Sequence, residues 1–227
     1  MPVIKPLDGY VQVQSIAIML PKPSILLEKF NNMSFQQLFD FESALAEYTG
    51  APYAVVTDGC THAIELCLRF ELVRYCEFTP FTYLSIPQLM HQLDISYHYR
   101  LEYWHSIGEY RFYNTRIWDS ARRLEPNMYR AGQLQCLSFG HGKPLELGKA
   151  GAILLDNPAD YLALSCMRSD GRDLRITPWQ DQEVIYQGFH YCPTLETCAA
   201  GIAGLKEIST GITTQVYPDL RKINIIS

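Results

Sequence analysis

Residues 41–68 read FESALAEYTGAPYAVVTDGCTHAIELCL, and this stretch decides the fold class. Just upstream, Ser34 stands three residues before Gln37 at capping-box spacing. Leu38, Phe41, Leu45 and Tyr48 then recur at helical intervals until Gly50, which predicts one amphipathic helix. Tyr53 to Thr57 (YAVVT) is a compact β-like run. Asp58 and Gly59 supply a turn, and THAIELCLRF, from Thr61 to Phe70, is again helix-like. Strand, tight turn and helix are therefore expected in succession. A helix N-terminus offers unpaired backbone N–H groups and a partial positive charge, both suited to a phosphate. The same unit also occurs in many α/β proteins for packing alone.

On both sides of this unit the pattern continues. LVRYCEF (72–78), RFYNTRIWD (111–119), LQCLSF (134–139) and GAILLD (151–156) are short apolar runs, and helix-like stretches cover Leu84–Leu93, Ala159–Met167 and Leu195–Ile208. Alternation of this kind predicts an α/β domain with a mostly parallel central sheet flanked by helices. Ligands of such sheets bind at the carboxyl ends of the strands, so the residues just after each strand carry the functional expectation. Residues 1–33 hold four prolines without sustained periodicity and are expected to form an irregular arm. Residues 34–208 make up the α/β domain, and 209–227 read as a short C-terminal extension with no core of its own.

Composition narrows the function classes. At 227 residues, with 48% hydrophobic and 19% charged residues, the chain can bury a substantial core, and disorder of its bulk is excluded. A formal charge of −5 supplies no positive field for a polyphosphate, so nucleic-acid binding is not expected. Seven cysteines are scattered, with no CxxC pair and no Cys/His cluster at zinc spacing, so they read as reduced thiols and no metal site is expected. No stretch approaches the ~20 apolar residues of a membrane span. No signal peptide is evident in MPVIKPLDGY, and the expected compartment is the cytoplasm.

The post-strand residues resemble one family in sequence order. The quoted stretch is similar to the part of DegT/StrS-type sugar aminotransferases where a helix ending in a YTG-like signature leads into a strand and a phosphate turn, here Gly59-Cys60-Thr61. TPFTYLS (79–85) resembles the motif whose aromatic residue stacks on pyridoxal 5'-phosphate (PLP), and Tyr83 takes that place. IWDSARR (117–123) puts Asp119 on the aspartate that faces the pyridine nitrogen. CLSFGHGKPLELGKAGAILLDN (136–157) puts Lys143 on the lysine that binds the cofactor covalently, with Ser138 on the phosphate-binding serine. CMRSDGR (166–172) and GFHYCPTLETCAAGIAGL (188–205) continue the similarity.

The resemblance implies a PLP-dependent transferase of the large-domain type. Its lysine amine reacts with the PLP aldehyde, and a carboxylate beside the ring nitrogen keeps that nitrogen protonated. Once displaced by substrate, the lysine is also the base that moves a proton between substrate and cofactor carbons. The implied activity is amino transfer from glutamate to a nucleotide-linked keto sugar by a homodimer.

Family members are longer. The stretch between Tyr83 and Asp119 is short, and after Leu205 the smaller C-terminal domain is all but absent, so an abbreviated member is expected. Arg122 stands where Gln or His approaches the PLP phenolic oxygen, and a cation there favours the ionised oxygen. His190 stands where an asparagine reaches the phosphate of the partner subunit. Two further classes stay open beside the aminotransferase: a PLP enzyme of altered reaction, and a non-catalytic relative that binds a sugar nucleotide or a partner subunit. Retention of Lys143 speaks against the last.

Overall fold

Helix α1 spans Gln36–Thr49 and buries Leu38, Phe41 and Leu45, as the periodicity predicts. It stops at Gly50, whose φ of 73° lets its N–H turn back to the carbonyls of Ala46 and Glu47. The computed structural model describes residues 35–102, 106–208, 211–213 and 215–225. The expected arm, residues 1–33, and the Ser34 cap lie outside the described residues. By contacts the chain divides into units 1–31 and 32–227, and the account below concerns the second.

Strand β1 (Tyr53–Thr57) and helix α2 (Cys60–Phe70) follow α1 with only Asp58 and Gly59 between them. Then come β2 (Tyr75–Phe78), α3 (Ser85–Gln92), β3 (Ser96–Tyr99), β4 (Tyr110–Arg111) and β5 (Ile117–Asp119). β6 (Leu134–Ser138), β7 (Gly151–Leu155), α4 (Pro158–Arg168) and α5 (Leu195–Leu205) complete the order. Asn157 caps α4 by accepting from the N–H groups of Ala159 and Asp160, and Pro158 opens it. Among the described residues no helix is long and apolar enough to cross a membrane.

The fold class is α/β, but the sheet corrects the expectation of mostly parallel strands. Five strands run in the order β1-β7-β6-β5-β4, and only β5 and β6 pair in parallel. The pairs β1/β7, β6/β7 and β4/β5 are antiparallel. The cause is the connections. Residues 139–150 and 112–116 contain no helix, so the chain cannot cross over and must return antiparallel to the strand it has left. For the same reason the run 111–119 is not one strand but a hairpin, turning through Asn114 at a φ of 67°. Strands β2 and β3 pair in parallel as a separate ribbon, bridged to the main sheet between Glu77 and Tyr113.

Strand β7 is buried on both faces, which is why GAILL is apolar without alternation. Ile153 and Leu155 face a core with α2, α3 and α4, while Ala152 and Leu154 face a second core with α1 and α5. The helices of the second layer approach closely because α5 has a glycine opposite α1. A Cβ on Gly201 would lie 2.4 Å from the Phe41 ring.

Edge strand β1 is closed by a buried ion pair. Arg168 donates through Nη1 to Glu42 and, at 2.8 Å, to the Val56 carbonyl, while the Val56 N–H donates to Glu42 Oε1 at 2.9 Å. Polar groups that an edge would leave unpaired are thereby satisfied by side chains from α1 and α4.

Candidate active site

The turn between β1 and α2 brings the first residues of α2 to the carboxyl end of the strand. Gly59 is the N-cap in extended backbone, with no side chain capping the helix, and the Thr57 hydroxyl donates to its carbonyl at 3.0 Å. Strand β7 begins directly against this turn, which requires Gly151: a Cβ there would stand 2.4 Å from the Cys60 nitrogen. The Thr61 and Ser85 hydroxyls lie 2.8 Å apart, so the starts of α2 and α3 meet at one point.

Asp119 ends β5 and is 4% exposed. Its Oδ1 accepts from the Ala121 N–H at 2.9 Å, and its Oδ2 accepts from the Tyr110 hydroxyl at 2.8 Å. Tyr110 faces it across the β4/β5 register and its hydroxyl lies 2.6 Å from the Thr82 hydroxyl. Burial pushes the Asp119 carboxyl up. The Ala121 N–H, the Tyr110 hydroxyl and the charge of Lys143 oppose that shift.

Lys143 projects from the loop that joins β6 to β7. Its Nζ donates to Gln215 Oε1 at 2.8 Å and to the Tyr217 hydroxyl at 2.9 Å. Burial lowers the pKa of this amine, Arg122 lowers it further, and the charge of Asp119 opposes the change. The Cys60 thiol is held well up, first by burial and then by the Asp119 charge, so it is a neutral neighbour and not a thiolate.

These groups line one cleft of about 570 Å³. Of the residues singled out in the sequence, it gathers Gly59, Cys60, Thr61, Tyr83, Asp119, Ser138 and Lys143. Tyr83 is largely exposed at its rim, its ring centroid 6.0 Å from that of Tyr217. Two of the singled-out residues are not in the lining. Arg122 is buried behind it, donating from Nη2 to the Thr213 carbonyl at 2.6 Å. His190 lies at the surface with Nδ1 3.2 Å from Asp170 Oδ1.

Several site residues were not anticipated. Thr82 and Ser85 fall inside the quoted TPFTYLS motif, and their hydroxyls were the available signal. His62 and Lys149 both line the cleft and share Asp58, at 2.5 and 3.3 Å, and the His62 ring stacks on Tyr191 at 3.8 Å. Tyr110, Gln215 and Tyr217 had no local signal. Among the described residues no cluster of three or more His, Cys, Asp or Glu could hold a metal.

Residues 26–95 match the model of the DegT/DnrJ/EryC1/StrS aminotransferase family. No curated protein matches the sequence. Among solved structures, the fold is similar to the sugar aminotransferase CalS13 from Micromonospora echinospora, with a TM-score of 0.62 and 14% identity over 82% of this chain and 64% of that one. It is similar to PseC from Helicobacter pylori, an aminotransferase involved in the biosynthesis of pseudoaminic acid, with a TM-score of 0.60 and 15% identity over 82% of this chain and 62% of that one. AtS13 from Actinomadura melliaura gives a TM-score of 0.62 and 18% identity, over 82% and 63% of the two chains. The chain thus spans less than two thirds of the length of these structures. It matches the DegT/DnrJ/EryC1/StrS aminotransferase family over residues 26–95 and shares the fold of solved sugar aminotransferases well beyond that stretch.

Proposed function

We propose that this chain is a PLP-dependent aminotransferase that takes an amino group from glutamate and delivers it to a nucleotide-linked keto sugar. The observation that carries the reading is the presence of Lys143, Asp119 and the first turn of α2 in one cleft. The chemistry of this donor set fits PLP. There is a primary amine, a buried carboxylate and a hydroxyl-lined helix N-terminus, and the space in front of Gly59 is open, since a Cβ there would meet nothing within 4 Å.

When bound, the cofactor supplies an aldehyde to a lysine amine and an electron-withdrawing ring to the substrate carbon. Thr61, Ser138 and the free N–H groups of α2 would hold its phosphate, Tyr83 would lie along its ring, and Asp119 would face its ring nitrogen. The bonds from Ala121 and Tyr110 fix the Asp119 carboxylate in one orientation, so it need not reorganise as charge develops. Lys143 would accept a proton at Nζ from the substrate carbon and return it. Its lowered pKa leaves more of the amine neutral and able to do so. Lys149 shares the cleft, but its side chain is 73% exposed and bound to Asp58, which favours Lys143 as the reactive amine.

A homodimer belongs to this reading. His190 is 88% exposed and lies outside its own chain's cleft, which leaves it available to the cofactor site of a second copy. The free thiols, including Cys67 and Cys136 with their sulfurs 3.7 Å apart, support a reducing compartment, the cytoplasm.

The test is a pair of single-turnover experiments on the PLP-loaded protein. Glutamate should convert the bound cofactor to its pyridoxamine form, and a nucleotide-linked keto sugar should convert it back, with Lys143→Ala inert in both directions. A spectrum that glutamate leaves unchanged while PLP is demonstrably bound would overturn the aminotransferase reading.

A further inference from the structure

The segment read from sequence as a terminal extension is tied to the cleft at both of its ends. At one end the Leu124 N–H donates to the Gly211 carbonyl at 2.7 Å, the Thr213 N–H donates to the Arg122 carbonyl at 2.9 Å, and Arg122 returns a bond to the Thr213 carbonyl. At the other end the Leu220 N–H donates to the Pro80 carbonyl at 3.0 Å, and the Leu220 side chain is 2% exposed. The first anchor is the chain just after Asp119, and the second is the chain just before Tyr83. A strap fastened to these two places passes over the cleft between them, and the side chains it presents there are Gln215 and Tyr217.

Both of those side chains bond the same atom, Lys143 Nζ, and Tyr217 is partly buried against the core that includes residues of α2 and β5. We propose that residues 211–213 and 215–225 are part of the active site, with Tyr217 and Gln215 as positioning residues that aim the Lys143 amine into the cleft. The inference rests on the reading of Lys143 as the reactive amine.

A lysine on a loop carries roughly 2 kcal/mol of side-chain rotamer freedom, and two acceptors on one strap restrict that freedom before any ligand arrives. The strap also covers the amine and so contributes to the burial that lowers its pKa. The other charged or titratable groups around Lys143 are Asp119 at the end of β5, Cys60 at the start of α2 and Arg122 behind the hairpin. His62, His141 and Lys149 line the same cleft farther along α2 and the β6–β7 loop.

The test uses the full chain without cofactor. Lys143 and Lys149 are acetylated competitively with acetic anhydride across a pH series, and each is quantified by peptide mass spectrometry. In the wild type, Lys143 should reach half-labelling below the ordinary range of a lysine amine, and Lys149 serves as the internal reference between variants. Tyr217→Phe keeps the ring and removes the acceptor, so the protonated amine loses a partner. The half-labelling pH of Lys143 should then fall by about half a unit while that of Lys149 stays fixed.

Gln215→Leu alters an exposed side chain that the fold does not require, and it should produce a smaller shift in the same direction. Unmoved Lys143 profiles in both variants would overturn the strap's positioning role, even if PLP attaches to Lys143. Profiles that move as expected, with PLP attached to another lysine, would leave the positioning intact and overturn the functional reading on which it rests.

Discussion

Two carboxylates stand side by side on the β4–β5 hairpin and are treated in opposite ways by the fold. Glu109, beside β4, is fully buried and accepts from Arg123 at 2.5 Å, from Arg130, from the Ser120 hydroxyl at 2.8 Å and from Gln135 at 3.3 Å. Asp119, the last residue of β5, accepts only a backbone N–H and a tyrosine hydroxyl in the described bonds, and faces the cleft. A buried charge costs stability unless it is paired and hydrogen-bonded. Glu109 meets that condition with two guanidinium groups and serves to hold the hairpin. Asp119 meets it in part, and on the proposed function the remaining demand for a cation would be met by the protonated ring nitrogen of the cofactor or by the Lys143 ammonium. The comparison sets a carboxylate whose bonds are closed within the fold beside one that faces the cleft and, on the proposed function, acts in it.

Substitutions should separate the two in the same way. Asp119→Asn keeps an acceptor for Ala121 and a polar partner for Tyr110 but removes the charge. The glutamate half-reaction should fall about a thousandfold, with PLP still bound, as measured by stopped-flow absorbance. Unchanged kinetics would remove Asp119 from the mechanism and erase the contrast.

Glu109→Gln should act on stability instead. It leaves Arg123 and Arg130 facing a neutral amide and should lower the unfolding free energy by about 3 kcal/mol in urea melts, with much smaller loss of the half-reaction in the protein that remains folded. A Glu109 variant as stable as the wild type would mean that the hairpin is held by packing alone.

The smallest effect is the pH dependence of Asp119 itself. Its folded pKa is raised above the unfolded value, so the folded chain retains a proton that the unfolded chain has lost. Stability therefore falls as pH rises through the window just above the ordinary carboxylate range, and Asp119→Asn should flatten that fall. In cofactor-free protein at neutral pH, this variant should be no less stable than the wild type.

Much of this arrangement was legible before any coordinates. The helix, strand and turn over residues 36–70 are recorded in local periodicity, and Phe41, Leu45, Val55 and Ile64 are buried where the pattern puts them. Strand direction is a property of connections, and residues 140–150 carried the signal in having no helical pattern between two apolar runs, whereas the hairpin turn at 112–116 was hidden inside the run 111–119. Seven of the motif residues line one cleft, because they lie at or near element ends: Asp119 and Ser138 close β5 and β6, Gly59 caps α2, Cys60 and Thr61 open it, and Tyr83 and Lys143 lie in the loops before α3 and after β6.

Arg122 and His190 were drawn from the same motifs. One is turned under the strap by its bond to Thr213, and the other is at the surface beside Asp170. Tyr110 and Tyr217 could not be read from sequence at all. Tyr110 lies in a strand of two residues, and Tyr217 meets Lys143 from 74 positions away, so each acquires a role only through tertiary contact.

The central claim is that the Lys143 amine is the group that binds the cofactor, and one measurement addresses it directly. The purified chain is incubated with PLP, reduced with borohydride and digested, and the peptides are weighed and sequenced by mass spectrometry. The mass of the reduced cofactor should be found on Lys143, and the Lys143→Ala protein should acquire none. Modification at Lys149 or another lysine, or no modification of the wild type at saturating PLP, would contradict the account.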